Sequence, residues 1–339
     1  MSSSDSHDDD IHTRVTAPGG VPAMTAQGTP VAPAAFASVD EVAARFLAES
    51  YVCDRRTATA IHLAERLTKP ILVEGPAGVG KTELAKTLAA VLGTELVRLQ
   101  CYEGLDEGKA LYEWEYGKQL LYTQILRDKI GEVLSGTSTL SEAVDRIGQQ
   151  ATAFFSEKFL LDRPLLTAIR APHRVVLLID EVDRAEQEFE AFLLEVLSDF
   201  QVSVPELGTL RARFPPMVIL TSNNVRELSD ALKRRCLHLY FDYPSAEREL
   251  EIVRLRAPEA ARGLSEAVVR VVQGVRTLDL KKKPSVSETL DWVRALTILN
   301  TDQLTPALAE ETLNLILKYE GDIERARDKL PELLAGKKA

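Results

Sequence analysis

A glycine-rich run directly after a short apolar segment constrains this chain more than any other feature. It matches the pattern G-x-x-x-x-G-K-[ST] and consists of Gly75, Pro76, Ala77, Gly78, Val79, Gly80, Lys81 and Thr82. The apolar segment 71–73 precedes it and a helical pattern over 83–92 follows, which is the strand–loop–helix context that the motif requires. Glycines allow backbone N–H groups to curve around a phosphate, and the helix N-terminus adds partial positive charge. The sequence therefore predicts a phosphate-binding loop, in which Lys81 reaches the β- and γ-phosphates of a nucleotide and Thr82 binds Mg²⁺.

Two adjacent carboxylates end a later apolar run. Residues 175–179 are all apolar, and Asp180 and Glu181 follow them. At the carboxyl edge of a parallel sheet these acids would lie beside the phosphate loop, where Asp180 would hold Mg²⁺ and Glu181 would polarise the attacking water. The second carboxylate predicts hydrolysis rather than binding alone.

Two more polar segments lie at the ends of apolar runs. Asn223 follows the run 217–220 and could orient water against a γ-phosphate, although an Asn-Asn pair is also typical of a turn. Arg234 and Arg235 precede the run 237–241. They form either a solvated basic surface or an arginine finger that would contact the γ-phosphate bound by a neighbouring subunit.

The spacing of apolar runs predicts an α/β fold. Five runs (71–73, 96–101, 175–179, 217–220 and 237–241) alternate with helical patterns, as expected for buried parallel strands. A hairpin is predicted over 201–204 and 209–214, and the segment of about 70 residues between the second and third runs implies an insertion. We predict a disordered tail over 1–35, a nucleotide-binding domain over 36–243 and a helical domain over 244–339. The first helix is predicted to place Val42, Phe46 and Leu47 on one apolar face.

Composition narrows the class of protein. The 339 residues carry a net charge of −10, which disfavours a protein that binds nucleic acid by neutralising phosphates. The three cysteines, Cys53, Cys101 and Cys236, are far apart and predict reduced thiols rather than disulfides or a zinc site. No apolar run is as long as a membrane span and no signal peptide is apparent, so a cytoplasmic location is expected.

Taken in order, these motifs resemble the AAA+ ATPases, and specifically the MoxR family, over roughly residues 40–330. The phrases that carry the resemblance are 73–82, 178–184, 219–223 and 228–236. The resemblance implies a sheet ordered 5-1-4-3-2, a helical lid, a helix-2 insertion, a hairpin before the fourth strand of that sheet and a hexameric ring. It implies Asn223 as sensor 1 and Arg235 as the trans arginine finger, with Arg234 as the fallback. Tyr51 and Val52 stand where related proteins contact adenine.

The chain departs from the family at one position. Many MoxR proteins carry a sensor-2 arginine where this chain has Ser287, and Arg294 or Lys283 are candidate substitutes. The phrases 101–106 and 112–116 resemble a subgroup found with carbon monoxide dehydrogenase maturation proteins (CoxD-like). That subgroup typically works with a von Willebrand A-domain protein and helps to mature metal centres.

Four functions follow from these observations. The leading one is a chaperone-like ATPase, converting ATP and water to ADP and phosphate, that remodels a client metalloenzyme. A nucleic-acid-dependent motor or clamp-loader-like ATPase is the main alternative. A nucleotide switch with little turnover is disfavoured by Glu181, and a small-molecule kinase is disfavoured because the helical C-terminal third offers no acceptor pocket.

Overall fold

The computed structural model describes residues 35–118, 120, 121, 124, 160–204 and 208–335. The predicted N-terminal tail, apart from its last residue, and most of the predicted insertion lie outside the described residues. Residues 34–339 belong to one compact unit. The division of this unit into domains at Pro244 stays a prediction.

Nine strands are described, and most of them coincide with apolar runs of the sequence. They are β1 (Ile71–Glu74), β2 (Leu96–Gln100), β3 (Tyr112–Trp114), β4 (Leu160–Asp162), β5 (Val176–Asp180), β6 (Gln201–Val204), β7 (Gly208–Arg211), β8 (Met217–Ser222) and β9 (Leu237–Tyr240).

Five of these strands form one parallel sheet, which confirms the predicted α/β class. The spatial order is β9-β1-β8-β5-β2. Numbered among themselves in chain order, these strands run 5-1-4-3-2, as the resemblance implied. In this order β1 lies between β9 and β8, and β5 lies beyond β8. The loop after β1 and the acids at the end of β5 therefore share the carboxyl edge of the sheet.

Helices described before Pro244 cover both faces of the sheet. They are α1 (Val39–Ala48), α2 (Arg55–Leu67), α3 (Lys81–Leu92), α4 (Glu107–Leu111), α5 (Pro164–Arg170), α6 (Gln187–Asp199) and α7 (Asp230–Arg235). Successive side chains of a strand point to opposite faces. Leu178 accordingly packs in a core with α1, α2 and α3, whereas Leu177 packs in a second core with α5, α6 and α7.

Short antiparallel pairs interrupt the α/β alternation. β6 and β7 pair directly before β8, where the sequence predicts a hairpin, and residues 205–207 of the turn lie outside the described part. β3 and β4 pair on either side of the predicted insertion.

The segment after Pro244 has no strands among its described residues. Its helices, called the lid helices below, are α8 (Ala246–Arg256), α9 (Arg262–Val275), α10 (Val286–Ile298), α11 (Pro306–Ile316) and α12 (Glu320–Leu334). They enclose a hydrophobic core of their own around fully buried Trp292. α10 begins with a complete capping box, in which Ser285 and Glu288 satisfy each other's backbone amides.

A buried ionic network ties three lid helices together. The guanidinium of Arg276 donates to both carboxylate oxygens of Glu249, at 2.6 and 2.7 Å, and to the carbonyl of Pro284 at 2.7 Å. Thr289 and Gln273 also donate to Glu249, at 2.7 and 2.6 Å. Because Glu249 is fully buried, these donors replace the water that the carboxylate loses on folding.

One helix-face prediction is wrong. Val42 and Phe46 are fully buried in α1, but the Leu47 side chain is 47% exposed. Residues four apart share a helix face, whereas the next residue is rotated by about 100° toward solvent.

Within the described ranges no helix is both long and apolar enough to cross a lipid bilayer. All three cysteines are free, and Cys101 and Cys236 are buried.

Candidate functional site

The loop of residues 75–82 joins β1 to α3 and requires glycine at specific points. Gly75, Gly78 and Gly80 have φ of 146°, 73° and 98°, a region that other residues rarely adopt. A Cβ on Gly75 would also lie 1.9 Å from the carbonyl oxygen of Phe241, so the loop crosses the end of β9 at close range. The loop leads directly into the N-terminus of α3 at Lys81, where no side chain among the described residues caps the first backbone amides.

The ammonium of Lys81 lies inside this loop. It donates to the carbonyls of Gly75 and Pro76, at 2.7 and 2.6 Å, and to Oδ1 of Asn223 at 2.8 Å. Burial lowers the pKa of Lys81 to about 8, and the carboxylates of residues 180, 181 and 183 oppose that shift. The side chain is therefore held by three acceptors and keeps most of its positive charge at neutral pH.

Asp180 lies directly beside the start of α3. Its Oδ1 accepts hydrogen bonds from Thr82 Oγ1 at 3.0 Å and from Thr221 Oγ1 at 2.6 Å. The carboxylate is buried, and its Oδ2 accepts from Nε and Nη2 of Arg98, at 3.1 and 2.5 Å. The structure thus brings together the two side chains predicted to bind Mg²⁺.

Glu181 adopts an uncommon backbone conformation. Its φ of 56° lies in the left-handed region, which costs a non-glycine residue about 1–3 kcal/mol. The turn is held by a hydrogen bond from the Glu181 amide to Thr221 Oγ1 at 2.9 Å. One carboxylate oxygen accepts from Asn223 Nδ2 at 3.1 Å, and the other accepts from Gln100 and Arg184, at 3.1 and 2.8 Å.

Asn223 connects the lysine to the glutamate. Its side-chain oxygen binds Lys81 and its side-chain nitrogen binds Glu181, so both ends of the amide are used within the site. The buried carboxylate of Asp183 accepts from the backbone amides of Asn223 and Val225, at 3.0 and 2.8 Å. Asp183 therefore fixes the backbone that presents Asn223.

Arg98 and Gln100 also belong to this site, although no motif of the sequence indicates them. Both lie on β2, which is adjacent to β5 in the sheet, and they contact Asp180 and Glu181 respectively. Arg98 Nη2 also donates to Gln100 Oε1 at 2.6 Å. The only signal available in the sequence was two polar residues at alternate positions near the end of an apolar strand.

A cavity of about 490 Å³ opens beside the loop, between it and the lid helices. Tyr51 and Val52, for which the resemblance implied adenine contacts, line it together with residues 78–80, and their contact with adenine stays a prediction. Burial raises the pKa of the Tyr51 hydroxyl. The Tyr51 ring packs edge-on against Phe46 at 5.7 Å between centroids. Arg248 of α8 donates to the Val52 carbonyl at 3.1 Å, which fixes that segment against the lid.

The N-terminus of α10 touches the loop directly. Ser287 donates from its amide and its hydroxyl to the Gly78 carbonyl, at 3.3 and 3.4 Å. The position predicted to lack a sensor-2 arginine is therefore at the loop. Neither suggested substitute lines the cavity: Arg294 donates to the Arg256 carbonyl at 3.2 Å, and Lys283 is exposed.

Arg234 and Arg235 are exposed near the sheet, and neither contacts the loop or the acids within the described part. Arg235 donates to Ser198 Oγ of α6 at 2.8 Å and to the Ala231 carbonyl at 3.3 Å. No side-chain partner of Arg234 lies among the described residues. A single chain thus does not deliver either arginine to its own loop.

The donor set of the site fits a magnesium nucleotide. Mg²⁺ prefers oxygen ligands and usually combines one or two protein side chains with phosphates and water. Thr82 and Asp180 supply such oxygens, and the loop supplies amides and the Lys81 ammonium for phosphate. No group of three or more His, Cys, Asp or Glu side chains in the described ranges is arranged to hold a metal by itself.

Comparisons with known proteins agree with this geometry. Residues 70–236 match the family model of the AAA domain, dynein-related subfamily. An uncharacterized protein of Staphylococcus haemolyticus is 26% identical over 268 residues, covering 76% of this chain and 88% of its own length. An uncharacterized protein of Staphylococcus aureus has the same identity and coverage.

Solved structures of Thermotoga maritima RuvB are also similar. The Holliday junction branch migration motor is 17% identical, with a TM-score of 0.43 over 82% of this chain and 71% of its own. A RuvB mutant of the same organism has a TM-score of 0.46 at 17% identity, over 82% of this chain and 72% of its own. The family match and the parallel sheet agree: residues 70–236 are similar to an AAA domain, and the chain has a P-loop AAA+ fold.

Proposed function

We propose that this protein is an ATPase that converts ATP and water to ADP and phosphate with Mg²⁺. The observation that carries the proposal is the convergence of five side chains at one edge of the sheet. Lys81, Asn223 and Glu181 form one hydrogen-bonded chain, and Thr82 is bonded to Asp180, the neighbour of Glu181. These residues lie at the start of α3 and at the carboxyl ends of β5 and β8, and only the fold brings them together.

Each residue has a chemical role in this proposal. The amides of residues 75–82 and the Lys81 ammonium bind the phosphates. Thr82 and Asp180 hold Mg²⁺, which when bound neutralises phosphate charge. Glu181 accepts a proton from the attacking water, and Asn223 orients the Glu181 carboxylate because it already donates to that group.

The test separates binding from turnover. Glu181→Gln should lower the rate of phosphate release by about 10²–10⁴-fold while nucleotide affinity is retained, because only the proton acceptor is lost. Lys81→Ala should abolish nucleotide binding. Glu186→Gln, an exposed carboxylate on the same connection, is the matched control and should leave turnover unchanged. Undiminished hydrolysis by Glu181→Gln would refute the assignment.

We further propose that the protein acts as a ring, a hexamer as the resemblance to the MoxR family implies, with Arg235 or Arg234 completing a neighbour's site. Their exposure and their lack of contact with the loop of their own chain support this proposal. Mixtures of Arg235→Ala and Lys81→Ala subunits should recover activity, because some interfaces then combine an intact loop with an intact arginine. Absence of recovery at every mixing ratio for both arginines would contradict trans action.

The proposed use of hydrolysis is chaperone-like remodelling or metal-centre maturation of a client enzyme, together with a von Willebrand A-domain protein. Support comes from the MoxR-type motifs of the sequence. The Glu181→Gln variant, held with ATP, should bind a purified A-domain partner more tightly than wild type with ADP. Stimulation of ATP hydrolysis by DNA, with no effect of the A-domain protein, would favour the nucleic-acid-dependent alternative.

A further inference from the structure

The cavity beside the loop accepts a defined part of the nucleotide. It is lined by Gly78 and Gly80, whereas Lys81 and Asp180, which lie at the β- and γ-phosphate end, are not among its lining residues. The part of a nucleotide that enters this cavity is therefore the α-phosphate, ribose and base. Side chains that point into it cannot report on the γ-phosphate directly.

One face of α8 borders this cavity. Arg248, Ile252 and Arg256 follow each other at intervals of four residues, so they share a helix face, and all of them line the cavity. Two guanidinium groups of the lid are thus directed toward the nucleotide position.

The two arginines are held differently. Arg248 donates to Asp54 Oδ2 at 2.8 Å and to the Val52 carbonyl at 3.1 Å, beside the segment proposed to contact adenine. The guanidinium of Arg256 has one partner among the described residues, Glu83 Oε1 at 2.7 Å, and both side chains are about one-third exposed. Arg256 can therefore exchange its partner with little rearrangement.

Glu83 places Arg256 at the phosphate end of the cavity. Glu83 follows Thr82 in the first turn of α3, and α3 begins at the phosphate loop. An α-phosphate at this end would bring negative charge close to the Glu83 carboxylate, which is unfavourable without a cation between them. A guanidinium matches phosphate geometry and forms strong charge-assisted hydrogen bonds.

We propose that Arg256 is the lid residue that contacts the α-phosphate, so that the lid responds to occupancy by ADP and ATP alike. The proposal rests on the nucleotide binding proposed above. Ser285 and Ser287, the lid residues that lie against Gly78 of the loop, are uncharged, and Ser287 uses its hydroxyl on the Gly78 carbonyl. The cation that the lid contributes therefore comes from α8 and not from the start of α10.

The test compares two nucleotides. Affinities of fluorescent ADP and of a slowly hydrolysed fluorescent ATP analogue are measured with Mg²⁺ for wild type, Arg256→Ala and Arg256→Lys. Arg256→Ala should weaken both nucleotides by a similar factor, about 10- to 100-fold for one charge-assisted contact, and Arg256→Lys should lose less. Arg254→Ala is the control: it lies on the same helix but pairs with Glu266 at 3.1 Å and should leave both affinities unchanged.

A second background separates nucleotide contact from a merely structural ion pair. In Glu83→Gln, the ion pair of Arg256 is already removed. If Arg256 binds phosphate, Arg256→Ala should still weaken both nucleotides in that background. If Arg256 only ties the lid to Glu83, the double variant will bind as Glu83→Gln does, and the proposal is overturned.

Two other results would also overturn it: unchanged affinities in Arg256→Ala, or a loss confined to the ATP analogue, which would place Arg256 at the γ-phosphate. Failure of the underlying function has a different signature. In that case wild type itself binds neither nucleotide, and Lys81→Ala is indistinguishable from it.

Discussion

The buried Arg276–Glu249 pair offers a sharp test of how the lid is held together. Arg276 is 6% exposed and Glu249 is fully buried. Replacement by Arg276→Met keeps most of the side-chain volume but removes three donated hydrogen bonds to Glu249 and Pro284. The Glu249 carboxylate then keeps only Gln273 and Thr289 as donors, without a countercharge. Breaking a buried pair in this way costs about 3–5 kcal/mol.

The assay is urea unfolding followed by tryptophan fluorescence. Trp292 is fully buried in the lid core, and a Trp114→Phe background leaves it as the single tryptophan. Arg276→Met should lower the unfolding midpoint by roughly 1–2 M, given typical urea dependences for chains of this size. Arg254→Met, which breaks the exposed pair with Glu266, should leave the unfolding midpoint almost unchanged.

A double-variant cycle measures the interaction energy between Arg276 and Glu249. Adding Glu249→Gln to Arg276→Met removes the uncompensated charge, so the double variant should be less destabilised than the sum of the single variants, by about 1–3 kcal/mol. Equal costs for Arg276→Met and Arg254→Met, or strictly additive costs in the cycle, would refute the reasoning that burial makes this pair indispensable.

Two further predictions concern the loop. The pKa of Lys81 is lowered from 10.5 to about 8. Between these two pH values the unfolded chain holds a proton on Lys81 that the folded chain has released. The contribution of Lys81 to the free energy of unfolding therefore rises with pH over this range. Bound phosphate favours the charged form of Lys81, so nucleotide affinity should fall above pH 8, by up to about tenfold per pH unit. Calorimetry of nucleotide binding at pH 8.5 in two buffers should therefore detect proton uptake. Absence of proton uptake would contradict the role of Lys81. Gly75→Ala should destabilise the chain more than Gly80→Ala in urea unfolding. A Cβ at Gly75 would meet the Phe241 carbonyl, whereas a Cβ at Gly80 would meet nothing within 4 Å, so that only the backbone conformation at Gly80 is strained. Equal losses of stability would show that the close approach at Gly75 does not matter.

The local motifs were predictable because they depend on residue types close together in the chain. The loop of residues 75–82 needs glycines at positive φ followed by a helix, and the sequence contains both in order. The inner parallel strands β1, β5 and β8 were predictable from the runs 71–73, 175–179 and 217–220, which are apolar at every position because both faces of such a strand are covered. The prediction that Leu47 is buried failed because an apolar residue beside a helix stripe need not belong to it.

The contacts between distant elements could not be predicted in the same way. Arg98 reaches Asp180 because β2 lies next to β5, and Arg256 reaches Glu83 because α8 borders the cavity above α3. Neither pair leaves a pattern in sequence spacing, because periodicity reports which face of an element is apolar and not what that face meets.

The sequence by itself therefore determined the elements and the chemistry that each one carries: a phosphate loop, paired acids after a strand, and a helical segment after Pro244. The tertiary structure alone decided which charges meet. Nothing in the positions of Arg276 and Glu249 along the chain indicates that they are buried against each other. Their burial results from the packing of α8, α9 and α10, which removes water from both side chains. Hydrophobic patterning acts within a few residues, whereas desolvation and ion pairing depend on atoms that the fold brings together.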